Sequence, residues 1–111
     1  MKNPLKAKSK ILGLMTIKIS DQLKEKKQYI LSDQIFRSWT SIWALIREAE
    51  YAQSKADLKS KLYIALKEAN ETSYWIELIE ESTILKVSDE YKNILQELIK
   101  MLVSSIKTLQ N

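Results

Sequence analysis

Residues 34–52 read QIFRSWTSIWALIREAEYA, and the spacing inside that stretch decides the fold. Ile35, Trp39, Ile42, Ile46 and Ala49 recur four, three, four and three residues apart, the seam of a helix packed against other helices. Arg37, Ser41, Ala44 and Glu48 run beside it at the same spacing and are mostly polar. One oily seam and one polar seam on the same helix imply two different neighbours.

The rest of the chain is read outward from this helix. Asn3 followed by Pro4 is a helix start: a capping side chain, then a residue whose missing N–H costs nothing there. A first helix is expected over 4–26, with Leu5, Leu12, Met15, Ile19 and Leu23 as its apolar line. Residues 11–17 behind several lysines faintly suggest a signal peptide. The run is short, Lys18 closes it and no small-residue cleavage site follows, so it is read as helix. The second helix is expected over 32–53, opened near Ser32 after a solvated KEKKQ linker. Ser54 with Asp57 resembles a capping box for a third helix over 55–82. Its seam is Leu58, Leu62, Ala65, Ala69, Thr72, Ile76 and Ile79, with Ile64, Glu68, Glu71, Trp75 and Leu78 as a second line. Ser88 caps a fourth helix over 89–109 whose first turn carries Asp89 and Glu90, which suit the helix dipole.

These elements make one all-α domain over residues 1–111. Connections of a few residues favour an up-down-up-down antiparallel four-helix bundle. Folding helix two back on helix three at 53–55 gives facing positions that sum to about 108. Trp39 then faces Ala69, Trp43 faces Ala65 and Ile46 faces Leu62, large against small as an interdigitated core requires. The same register sets Arg37 opposite Glu71 and Ser41 near Glu68, a set read as a structural polar network fixing helix register. In helix four, Ile94, Leu95, Leu98, Ile99, Met101, Leu102, Val103, Ile106 and Leu109 span an arc of about 200° at roughly 100° per residue. A stripe that wide exceeds what one buried side needs, and self-association is the expected use of the excess.

Composition narrows the function. One Gly, one Pro and no Cys among 111 residues, with 45% hydrophobic and 29% charged, suit helices and exclude a disulfide scaffold or thiolate zinc site. Without His there is no Ser–His or Cys–His catalysis, and Gly13 alone cannot write a phosphate-binding loop. No catalytic residue, cofactor or metal is expected; an all-carboxylate site at Glu68 and Glu71 is the remote exception. No apolar run approaches the ~20 residues of a membrane span, and the lack of Cys fits a reducing cytoplasm. The formal charge of +4 is uneven: residues 1–30 hold eight lysines against Asp21 and Glu25. Lys2, Lys6, Lys10, Lys24 and Lys27 fall on one flank of helix one, within about 100° of arc, and form the candidate nucleic-acid-binding set.

RSWTSIWALIREA in the second helix and IALKEANETSYWIELI in the third resemble the paired signatures of the bacterial four-helix-bundle family, also called 23S rRNA intervening-sequence proteins because some are encoded within insertions in ribosomal RNA genes. The matching positions are Arg37, Ser38, Thr40, Ser41, Ile42, Ala44, Glu48 and Ala49, then Ala65, Glu68, Ala69, Glu71 and Trp75. The resemblance implies an up-down bundle assembling as a ring, commonly a pentamer. It extends to a structural cousin, the accessory protein of diversity-generating retroelements, a basic pentamer that contacts nucleic acid. It implies no assigned biochemical function. Trp39, Trp43 and Leu45 stand where the family usually has RSGTSIGANI, so any cleft or close contact made by those glycines is refilled here. Two readings of a non-enzymatic protein stay open: RNA or DNA backbone binding through the basic flank, multiplied by the ring, or a structural or protein-partner adaptor whose lysines only solvate it.

Overall fold

The computed structural model describes residues 3–110. Four helices follow one another, α1 (Pro4–Glu25), α2 (Tyr29–Ala49), α3 (Lys55–Glu81) and α4 (Asp89–Gln110), with no strand among the described residues. Each packs on its chain neighbours, and α4 closes back on α1. The antiparallel bundle therefore has four seams and one central core.

Helix ends follow local chemistry. Asn3 Oδ1 accepts the Lys6 N–H at 3.2 Å, with Pro4 at the first position. Ser88 Oγ accepts the Tyr91 N–H at 3.1 Å. Ser54 Oγ accepts from the Asp57 N–H at 3.0 Å, while the Asp57 carboxylate reaches back to the Gln53 N–H at 3.1 Å. That reach ends α2 early: residues 50–52 tighten into i→i+3 bonds, so the helix expected to run to 53 stops at Ala49. Its start is displaced too. Lys27 takes a left-handed φ of 61°, the Lys27 N–H bonds the Lys24 carbonyl, and the Gln28 N–H bonds the Leu23 carbonyl. This is a Schellman turn, normally built on glycine. It redirects the chain at once, and α2 starts at Tyr29 instead of Ser32. Thr83, at φ 60°, builds the matching turn after α3, with Ile84 bonding back to Ile79.

The core contains Leu12, Leu23, Ile35, Ile42, Ile46, Ile79, Leu95, Leu98 and Leu102, all essentially inaccessible. Fully burying one such side chain is worth about 1.5–3 kcal/mol. Polar groups inside it are paired, and among the described residues no buried side-chain N or O lacks a partner. Thr16 bonds the Leu12 carbonyl at 2.8 Å and meets the Tyr91 hydroxyl at 2.7 Å; its own proton committed, Thr16 accepts the proton of Tyr91. Burial pushes the Tyr91 phenol up to about 12, and the Thr16 bond only partly offsets it. Ser32 donates to the Ser20 carbonyl at 3.0 Å, tying α2 to α1.

Two packing expectations change. Trp39 turns to α1: its Nε1–H donates to the Ser9 carbonyl at 2.9 Å, and its benzo ring fills the space where a Cβ on Gly13 would sit. The small residue beneath its indole on α1 is Gly13, a partner that the α2–α3 register does not supply. The wide stripe of α4 is mostly absorbed inside the bundle. Tyr91, Leu95, Leu98, Leu102 and Ile106 are buried, and Ile94, Ile99, Met101, Val103 and Leu109 are half-buried on its flanks. A helix in a four-sided bundle has two neighbours, so it carries a wider stripe than a helix lying on a surface. The exposed aliphatics lie elsewhere, at Ile11, Leu14 and Ile17 of α1, Ile30 of α2 and Ile64 of α3.

Two measurements check this reading. Thr83→Gly should raise stability by about 0.5–1 kcal/mol, the left-handed penalty less the added freedom of the unfolded chain, in denaturant unfolding. Tyr91→Phe should lower it by about 1 kcal/mol, the worth of one buried hydrogen bond; an unchanged midpoint would show that the Thr16 bond contributes nothing.

Candidate nucleic-acid interface

The basic flank expected on α1 splits in two. Lys6 and Lys10 lie in its first two turns and Lys24 in its last, about 21 Å further on at 1.5 Å per residue. Between them the helix exposes Ile11, Leu14 (58% exposed) and Ile17 together with Lys18 and Asp21. Lys27 stands beyond the helix in the Schellman turn, so a helical wheel misplaces it. Lys2 lies outside the described residues. Lys24 shares a groove between α1 and α2 with Asp21, Asp33 and Arg37; Arg37 is taken up by Glu68 and Glu71, which leaves two carboxylates beside one lysine.

The other end differs. Lys6 and Lys10 share a shallow depression with Trp43 and Arg47 of α2 and with Glu50 just past its end. Arg47 Cζ stands 5.5 Å from the centroid of the Trp43 ring, a cation–π contact that orients the guanidinium. Lys6 Nζ is 3.4 Å from a Glu50 oxygen. The cluster thus carries three cations against one carboxylate, spread over two helices and centred on an indole. Sequence reading found the lysines but not Arg47 or Trp43. The signal was present in the α1–α2 register: Ser20 meets Ser32 and Trp39 covers Gly13, so facing positions sum to about 52. That sum sets Lys10 beside Trp43 and Lys6 beside Arg47.

The polar network lies on the α2–α3 seam. Arg37 is ion-paired to Glu71 and bonds Glu68 at 3.1 Å. Trp75 Nε1–H donates to Glu71 at 3.2 Å, and the Ser38 hydroxyl reaches the same carboxylate at 3.5 Å. Ser41 is half-buried, and among the described residues no hydrogen bond joins it to Glu68; Ser38, one turn earlier, supplies the hydroxyl. The Arg37 side chain is 46% exposed while Glu68 is 15% exposed, so the carboxylates sit beneath a partly solvated guanidinium. Burial works against the charge on Glu71, but hydrogen bonding with Glu68, Trp75 and Arg37 outweighs it and holds the carboxyl below its ordinary value. Burial likewise opposes the charge on Arg37, and Glu71 and Glu68 more than restore it. With every member paired inside the chain, the network holds α2 in register with α3. Lys61 lies 3.8 Å from Glu48 further along the same seam. No helix among the described residues is long and apolar enough to cross a membrane, and no group of three or more His, Cys, Asp or Glu among them is placed to hold a metal ion.

The sequence profile described as "23S rRNA-intervening sequence protein" matches residues 2–104. A solved structure from Bacteroides thetaiotaomicron VPI-5482, described as a protein with unknown function from the S23 ribosomal protein family, is similar at 45% identity and a TM-score of 0.85. The match covers 93% of this chain and 98% of that one. No curated protein matches.

The network makes two checkable claims. Arg37→Ala should cost about 1 kcal/mol or less, as for a half-exposed pair, in denaturant unfolding. Because the folded carboxyl of Glu71 lies below its ordinary 4.5, its contribution is present above that value and lost as pH falls through the folded one. Stability of the wild type should therefore fall more steeply below about pH 4.5 than that of Glu71→Gln; superimposable acid limbs would contradict the pairing.

Proposed function

This chain belongs to the 23S rRNA-intervening sequence protein family, and from that premise we propose a non-enzymatic, self-associating bundle that holds the phosphate backbone of RNA or DNA. The observation carrying this reading is the cluster of Lys6, Lys10 and Arg47 around Trp43, opposed only by Glu50. Phosphate oxygens are met by cations, and Arg47, held against the indole, offers a forked donor for them. Sequence readout is no part of the proposal. The footprint has three cations rather than the five lysines of the flank, and its weak end is the one where Asp21 and Asp33 flank Lys24.

Three cations in one chain make a weak site, and repetition in an oligomer turns weak contacts into avidity. The exposed Ile11, Leu14 and Ile17 on α1 and Ile64 on α3 are separate apolar patches on helices that do not touch, and self-association would cover them; a pentamer, taken from the family resemblance, is the ring we propose. The same aliphatics favour the second reading, an adaptor that docks another protein and leaves nucleic acid alone. The cytoplasm, where nucleic acid is available, is the proposed compartment.

Light scattering at micromolar concentration should give about five times the 13.0 kDa chain mass; a monomer would reject assembly. Fluorescence anisotropy with labelled RNA and duplex DNA should show binding that weakens with salt, with a log–log slope of roughly −3 per protomer engaged. Lys10→Glu with Arg47→Glu should abolish it, whereas Lys24→Glu with Lys27→Glu should change affinity by no more than about threefold. Absence of binding at ~50 mM salt, or binding indifferent to both pairs, would decide for the adaptor; equal losses from the two pairs would reject the Trp43 cluster as the footprint.

A further inference from the structure

At the end of the bundle where α1 begins and α4 finishes, all four helices line a pocket of about 370 Å³ that opens to solvent. Its origin is a local shortage of side-chain volume. Ala49 of α2 and Ser105 of α4 occupy wall positions where larger residues would close the core. Leu5, Ile46, Leu58 and Leu109 complete an apolar wall contributed by every helix. The volume and lining match a small-molecule site: mostly apolar, between helices, with polar groups of Glu50 on one wall and of Ser104, Ser105 and Thr108 on the facing one. We propose that this cavity binds a small uncharged amphiphile, an aliphatic alcohol or alkylphenol, with its hydroxyl donating to Glu50.

The size follows from volume. An engineered apolar cavity of ~150 Å³ accepts benzene, so this one holds a molecule roughly twice that size, an alcohol of about eight carbons. The head group follows from charge. Glu50 is the single charged group on the wall, and among the described residues its charge partner is Lys6, at 3.4 Å. A cationic head would compete with Lys6 and enter the field of Lys10 and Arg47 just outside. An anionic head would face the Glu50 carboxylate. A neutral O–H donor meets neither penalty and uses an acceptor that one lysine does not saturate. Thr108 gives its own proton to the Ser104 carbonyl at 3.1 Å, so its oxygen can only accept. This site shares Asn3 and Glu50 with the basic depression, but its occupancy does not depend on nucleic-acid binding.

The test is an amide-shift titration by NMR of the full chain with octan-1-ol, octylamine and octanoate in parallel. Octan-1-ol should give saturable shifts confined to residues around Ala49, Leu58, Ser105 and Leu109. Ser105→Leu should weaken binding about tenfold or more and raise the melting temperature, because it fills the cavity. Ala49→Met, from the opposite wall, provides the same test should Ser105→Leu fail to fold. Glu50→Gln should weaken octan-1-ol roughly tenfold, as expected for losing a charged acceptor. Non-saturable shifts, shifts centred on Ile11 and Leu14, or unchanged affinity in the filled variants would overturn the site. Tighter binding of octylamine or octanoate would overturn the head-group assignment.

Discussion

Trp39 has no room on its helix unless α1 presents nothing larger than hydrogen beneath it. The benzo ring occupies the space where a Cβ on Gly13 would sit, and the indole N–H reaches the Ser9 carbonyl behind it. Four residues of α1, Ser9, Gly13, Thr16 and Ser20, keep that side of the helix small and polar enough to bond locally while α2 approaches. Gly13 costs about 1 kcal/mol of helix propensity relative to alanine. That cost is offset by an aromatic side chain packed across the interface. Once α1 and α2 are locked in this register, the remaining seams have little choice, because α3 folds back through a short capped turn and α4 through a Schellman turn.

The register also builds the surface chemistry. Lys6 and Lys10 become a two-helix cluster only because α2 lays Trp43 and Arg47 beside them, and a slip of one turn would carry Arg47 away from Lys6. The Arg37 network ties α2 to α3 instead. There it fixes α3 and spends its charges internally, which makes it a poor candidate for ligand chemistry. Helix α2 thus faces its two neighbours in two ways: with an aromatic knob against α1, and with ion pairs against α3.

Much of this was legible in the chain itself. The period of the apolar residues, the caps at Asn3, Ser54 and Ser88, and the sum of 108 between α2 and α3 are local or pairwise properties, and they survive in the structure. What was not legible had specific causes. Trp39 could satisfy large-against-small packing with either Ala69 or Gly13, and only the three-dimensional choice between two neighbours separates them. The turns at Lys27 and Thr83 lack the glycine that advertises a left-handed residue, so the start of α2 was misplaced. The α4 stripe looked too wide because a helix with two neighbours in one bundle was judged by the standard of a helix with one. Trp43 and Arg47 escaped because the α1–α2 register went unread, although Ser20, Ser32 and the lone glycine carried it.

The dependence of the fold on the Trp39–Gly13 contact can be measured by a double-mutant cycle in denaturant unfolding. Gly13→Ala, Trp39→Ala and the double variant are compared with the wild type. If the indole sits where the added methyl would go, Gly13→Ala alone destabilises by about 1–3 kcal/mol through overpacking. In the Trp39→Ala background it is neutral or stabilising, because alanine is the better helix former. The predicted coupling is therefore at least about 1 kcal/mol. Additive effects, or a Gly13→Ala variant as stable as wild type with Trp39 in place, would contradict the packing on which this account rests.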